Sequence, residues 1–300
     1  MKTNLLITTA TILAAAGTAS AQPAPTQITV GIYAPSVDFG TAQARLAYVQ
    51  GLAKAIEQNT GIKTVAQSYA SLGAMNKGGV DFAIIDGQCY AANMSPKLLA
   101  SANIGGSTTR QWALFSGAGG DMQSLKGKKL SFINTGCNDA GFIDNAMLDS
   151  EVDASFFSSR TGRNDLAAAV ADVASVKTSQ AVFAPVSAGK GLTKVFDTGA
   201  VPNPAFVDLS GKVPAATVAK VQAAVVGFGG GGAINGWAAG DRGIYSALSF
   251  GRKTKAGILA QPEAVRIDAR DVLIDPPTMK DTALVDVRHH FVRPPGARME

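Results

Sequence analysis

The sequence predicts an α/β protein: one large domain or two modest lobes, built from open sheets with helices on their faces. Three observations predict it. Strand-like and helix-like stretches alternate as β-α-β-α-β through residue 86. The alternation restarts after a glycine-rich break at 117–120. Of the 300 residues, 46% are apolar and 16% charged, which supplies a sizeable core and excludes a disordered chain. The 33 glycines follow no triplet period, so a collagen-like chain is excluded as well.

Each element has its own signal. Residues 28–33 alternate and are β-branched, so they read as a strand, followed by a turn-rich loop at 34–40. Leu46, Val49, Ala53 and Ile56 fall at helical spacing, and Asn59-Thr60-Gly61 stops that helix. A second strand at 62–67 and a short helix at 71–77 follow, and then an apolar strand at 80–86 that ends in a glycine turn. Residues 104–106 begin a polar loop, and 111–116 read as an extended crossover. In the second unit, 128–133 is a strand, 134–141 a polar turn and 142–148 a helix. Residues 164–173 form another helix, capped by Asn164 or Asp165, and 180–184 another strand. Two short strands are expected at 194–196 and 205–209, around Val201-Pro-Asn-Pro204. A proline-opened helix covers 214–226, and 229–232 must be a loop. The proline-bearing residues 261–300 read as a β-rich appendage.

The net charge of +5 is small and spread along the chain, with no basic stripe interleaved with aromatics, so no nucleic-acid partner is expected. Lys2, the apolar stretch 5–16 and the small-x-small Ala19-Ser20-Ala21 read as a signal peptide cleaved after Ala21, which predicts a periplasmic or secreted protein. Gln22 follows the cut where a lipid anchor would need cysteine. An N-terminal membrane anchor is the alternative reading of this segment.

The order of 28–33, then Gly79-Val-Asp-Phe-Ala-Ile-Ile-Asp-Gly87, then Ser124-Leu-Lys-Gly-Lys-Lys-Leu-Ser-Phe-Ile133, then Val201-Pro-Asn-Pro-Ala-Phe206, resembles the substrate-binding proteins of phosphate, phosphite and phosphonate ABC transporters. The resemblance implies a two-lobed type II periplasmic-binding-protein fold with a β-rich C-terminal appendage. Lobe 1 would hold 26–116 plus 201–260, lobe 2 would hold 121–200, and the appendage 261–300. It implies capture of a small polar solute, an oxyanion such as phosphate or phosphonate favoured, between lobes that close by hinge motion. The partner would be an ABC permease, and the protein a monomer with neither cofactor nor metal. Three loops should face the solute, giving Tyr33, Ser36, Gln88, Tyr90, Asn134, Thr135 and Asn138 as ligand residues. Several features depart from the family pattern. The loop opening lobe 2 is Asn134-Thr-Gly-Cys-Asn138, with one hydroxyl, instead of a Ser-Thr-Ser type loop. Gln180 stands where many members carry an acid, and no histidine is near.

Each of these residues also has a plainer reading. Tyr33 and Tyr90 suit half-buried packing, and Asp86 suits a turn or helix cap. Cys89 and Cys137 leave three readings open: a disulfide, two free buried thiols, or soft-metal ligation with Met75 or Met94 nearby. Gly227-Phe-Gly-Gly-Gly-Gly232 fits a dinucleotide fingerprint by letter, but it follows a helix where the fingerprint follows a strand. Ser187-Ala-Gly-Lys190 lacks its companion motifs, and His289-His290 would point to opposite faces of a strand. Nothing assembles a nucleophile, base and oxyanion hole, so no enzyme is expected. The alternative to solute delivery is an exported sensor or interaction protein that keeps the fold.

Overall fold

The computed structural model describes residues 25–175 and 178–251. The signal peptide and the appendage read from the sequence lie outside the described residues. The described residues form two sheets, each with its own apolar core.

The first sheet contains β1 (Gln27–Tyr33), β2 (Lys63–Ser68), β3 (Phe82–Ile85), β4 (Lys97–Asn103), β10 (Ala205–Asp208) and β11 (Gly236–Ala239), in the order β11-β4-β10-β3-β1-β2. β1 runs parallel to β2 and β3, while β10 is antiparallel to β3 and β4. Buried on both faces, β3 reads as the uninterrupted apolar run Phe-Ala-Ile-Ile. Helix α1 (Ala42–Thr60) begins where the Thr41 hydroxyl accepts from the Ala44 N–H at 3.0 Å and ends at Gly61, whose φ of 72° suits glycine. Its stripe of Val49, Leu52, Ala53 and Ile56 is buried, and full burial of a leucine or isoleucine stabilises by about 1.5–3 kcal/mol. Helices α2 (Leu72–Lys77) and α3 (Gly87–Ala92) follow β2 and β3.

The second sheet contains β5 (Thr109–Ser116), β6 (Lys129–Ile133), β7 (Ser159–Arg163), β8 (Ala181–Pro185) and β9 (Thr193–Pro202), in the order β7-β6-β8-β5-β9. After β6 come a one-turn helix α4 (Asp139–Gly141) and a π-helical turn, Phe142–Met147. Asp165 caps α5 (Leu166–Ala174), accepting from the Ala168 N–H at 2.8 Å. Helix α6 (Ala215–Val226) then packs on the first sheet beside α1, and α7 (Arg242–Ser246) lies against α3.

Three expectations need correction. Residues 111–116 are not a bare crossover: β5 pairs antiparallel with both β8 and β9, inside the second sheet. Its buried run Trp112, Ala113, Leu114 and Phe115 is core material, and a core strand must pair its backbone. The expected short strand at 194–196 extends through Val201 and Pro202 as one ten-residue β9. Proline at its last position removes no donor from the strand interior. The glycine turn after β3 opens a helix, α3, with Asp86 as its cap. The chain passes between the sheets at 104–108 and again at 203–204.

Candidate functional site

The loops after β1 and β3 of the first sheet meet the loop after β6 of the second. Asp86 organises the first side. As the cap of α3 its carboxylate accepts from the Gln88 N–H at 3.2 Å, and it also accepts from the Ser36 N–H at 2.9 Å. Burial pushes the Asp86 carboxyl above its ordinary value, while the Ser36 and Gln88 hydrogen bonds and the Arg110 charge pull it down. Arg110, near the start of β5, donates from Nε to Asn203 Oδ1 at 2.7 Å and from its two Nη atoms to Ser36 O at 3.1 Å and Ser36 Oγ at 3.3 Å. Burial lowers its pKa to about 10, against the Asp86 charge that raises it. It is therefore a cation at neutral pH.

The second side is the loop 134–138. Asn138 adopts the left-handed region (φ 56°) and caps α4 through its side chain, which accepts from the Gly141 N–H at 3.2 Å. Asp139 folds back over the loop. Its carboxylate accepts from Thr135 Oγ1 at 2.6 Å, from the Gly136 N–H at 3.0 Å and from the Thr135 N–H at 3.2 Å. From the other sheet, Gln88 Nε2 donates to the same carboxylate at 2.7 Å and to Cys137 O at 3.4 Å.

Three further links close the two sides together. Cys89 and Cys137 form a disulfide, with Cα atoms 5.0 Å apart. Of the three readings open for these residues, the paired one is what the structure holds. The Tyr33 hydroxyl donates to Thr135 O at 3.0 Å. Burial first, and then the charges of Asp86 and Asp139, push that phenol up to about 12. The Leu166 N–H at the start of α5 donates to Pro35 O at 3.0 Å.

The seven residues expected to face a solute therefore divide. Tyr33, Ser36, Gln88 and Thr135 come together, all buried, and each is engaged across or beside the interlobe contact. Asn134 and Asn138 are exposed on the same loop. Tyr90 turns into the first lobe instead. Its hydroxyl donates to Pro96 O at 3.3 Å and its ring meets Tyr245 edge-on at 4.8 Å. Residue-by-residue reading missed Asp139, Arg110 and Asn203. The only local signal was for Asp139, an acid in a first helical turn. Two spaces flank the contact. One is a polar groove, open to solvent, lined in part by Asp38, Thr41, Arg45 and Asp165. The other is a small apolar pocket where Gln88 meets Trp112, Phe132, Phe142 and Phe183. Among the described residues no group of three or more His, Cys, Asp or Glu side chains is placed to hold a metal ion.

No family model and no curated protein matches the sequence. Solved structures do match the fold. A Xanthomonas citri protein bound to ATP superposes with a TM-score of 0.56 at 12% identity, covering 75% of this chain and 96% of its own. The binding-protein component of an ABC phosphonate transporter from Pseudomonas aeruginosa gives 0.56 at 13% identity, covering 73% and 82%. PhnD1 from Prochlorococcus marinus, in complex with methylphosphonate, gives 0.55 at 12%, covering 74% and 96%. At these identities the likeness speaks for architecture. Two α/β sheets, two passages between them and loops meeting at the strand ends give this chain the type II periplasmic-binding fold that these proteins share.

Proposed function

We propose that this chain is an exported solute-binding protein that takes a small polar solute between its lobes and presents it to an ABC permease. The observation that carries the reading is the convergence of hydrogen-bond donors from both sheets on one place. Gln88 comes from the first lobe, and Thr135 and Gly136 come from the second. Donors supplied from two sides let a bound solute hold the lobes together. An oxyanion such as phosphate or a phosphonate is the favoured class, because hydroxyl, amide and backbone N–H donors recognise oxygen acceptors. Nothing in the site forms a nucleophile–base pair, which favours binding over catalysis.

A second reading has its own observation. The Cys89–Cys137 bond spans the two lobes and opposes their opening. That favours a sensor or interaction protein that keeps the fold without delivering a solute.

One experiment separates them. Thermal unfolding is followed against phosphate, phosphite, methylphosphonate, sulfate and amino acids, with and without dithiothreitol. A solute at 100 times its Kd should add about 2.7 kcal/mol of stability. A shift with any of them supports capture, and a shift only after reduction means that the disulfide gates the cleft. No shift in either redox state would overturn capture of these solutes and favour the second reading.

A further inference from the structure

We infer that Thr135, Gly136 and Gln88 form an oxyanion seat shared by the two lobes, and that Asp139 is its built-in occupant, which a free oxyanion must displace. The inference rests on the reading of the cleft as a solute site and names what decides its specificity. Four donors meet on one carboxylate: the Thr135 hydroxyl, two successive backbone N–H groups and the Gln88 amide. None of the ion pairs among the described residues involves Asp139. The seat therefore holds its anion by neutral dipoles, a donor set suited to oxygen acceptors of any oxyanion.

Simple capping of α4 does not account for this arrangement. The capping bond is already made by Asn138, which accepts from the Gly141 N–H. Local capping also needs nothing from another sheet, yet Gln88 reaches Asp139 from 51 residues away in sequence. Gln88 is 4% exposed, so its amide has little water to fall back on if the carboxylate leaves. The carboxylate thus does what a solute anion would do, and satisfies donors from both lobes at once. A free anion must displace it, and the tethered group competes at high effective concentration. Gly136 and Asn138 are exposed, so a small ion has a route to the seat once it is vacant.

The test uses the full oxidised chain, as wild type and as Asp139→Ala, in calorimetric titration and thermal unfolding. The probes are formate, acetate, inorganic phosphate and methylphosphonate at ionic strength matched with chloride. Formate replaces the carboxylate that the substitution removes. Asp139→Ala should bind at least one probe saturably and about tenfold or more tighter than wild type, a difference of about 1.4 kcal/mol. Adding Gln88→Ala should abolish the gain. Asp139→Ser, a small hydroxyl residue tolerated at helix starts, is run in parallel in case the alanine variant does not fold. Equal affinity in wild type and variant would overturn the occupancy while leaving solute capture standing. Failure of both folded variants to take any probe would overturn the seat itself. Capture of another solute class is then judged by the wild-type panel alone.

Discussion

Reduction of Cys89–Cys137 is the perturbation whose size follows most directly from the structure. The bond closes a segment of 48 residues that includes β4, β5 and β6, so it links the two lobes rather than two neighbours in one sheet. Loop closure over that length lowers the entropy of the unfolded chain, an effect worth about 4 kcal/mol at room temperature. In a protein of this size each 1 kcal/mol moves the midpoint by about 2–4 °C, so reduction should lower Tm by about 8–16 °C. Differential scanning calorimetry with and without dithiothreitol measures this, and the double substitution Cys89→Ala with Cys137→Ala serves as control. The variant should melt near the reduced wild type and ignore the reductant. A wild type whose Tm moves by less than about 2 °C on reduction would refute the reasoning. So would native oxidised protein that reacts with thiol reagent at both cysteines.

Other consequences are smaller or more local. Tyr33→Phe removes the donor to Thr135 O and should cost about 1 kcal/mol in urea unfolding with an unchanged m-value; a neutral result would mean that the bond does not form in solution. Gly87→Ala should be far worse, about 3 kcal/mol or more, because a Cβ there would lie 2.0 Å from the backbone oxygen of Pro202. A variant of wild-type Tm would show that α3 does not press on that passage. All five tyrosines are held above their ordinary value of 10, chiefly by burial, Tyr33 at about 12. The folded chain keeps phenol protons that the unfolded chain releases, so stability is full below pH 10 and falls as pH rises from 10 through 12. Arg110, lowered to about 10, works in the opposite direction over that range, as one group against five. Tyrosinate absorbance and circular dichroism should therefore change together on alkaline titration; tyrosines ionising near pH 10 in a chain of unchanged dichroism would contradict the burial.

Where side chains pack locally, the fold was legible. Alternation and β-branching mark β1, an unbroken apolar run marks β3, the 3.6-residue period marks α1, and an opening proline marks α6. Other strands carry no such signal. β7 is Ser-Arg-Thr-Gly-Arg, an edge strand with no apolar residue, and its pairing with β6 is the reason it is a strand at all. β4 is rich in small residues, Lys-Leu-Leu-Ala-Ser-Ala-Asn, and is fixed by its neighbours β10 and β11. The loops that the resemblance pointed to do meet, because loop position at strand ends follows from topology. The resemblance could not say which side chains meet which. Gln88 finds Asp139 at a separation of 51, Arg110 finds Ser36 at 74 and Asn203 at 93. No periodicity spans such distances, so Arg110 had no distinguishing mark in the chain and Asp139 only its place in a first helical turn. Tyr90 erred in the other direction. It follows Cys89 inside α3, and its ring lies against Tyr245 in the first lobe.

One of the passages between the lobes is hydrogen-bonded through Arg110 to a loop of the candidate site. Asn203 is fully buried in the second passage. Its N–H donates to Thr108 O at 2.9 Å and its amide to Ser107 O at 2.8 Å, so it ties the two passages to one another. Its Oδ1 accepts from Arg110, whose remaining donors hold Ser36. Ser36 in turn is bound to Asp86, the cap of the helix that carries Gln88 and Cys89. A hinge rotation that separates the lobes must therefore strain the Arg110 fork, because its two ends lie on a passage and on a cleft loop. The planar guanidinium makes this connection directional, which an ammonium would not. The disulfide and the Asp139 carboxylate join α3 to the loop after β6. Opening is thus opposed by contacts of different chemistry, among them a covalent bond, an anion held by neutral donors, and a buried cation. Only the first responds to reductant. Releasing the disulfide alone leaves Gln88–Asp139 and Arg110–Ser36 in place, so the reduced protein should remain closed until a solute or a substitution takes the seat that Asp139 fills.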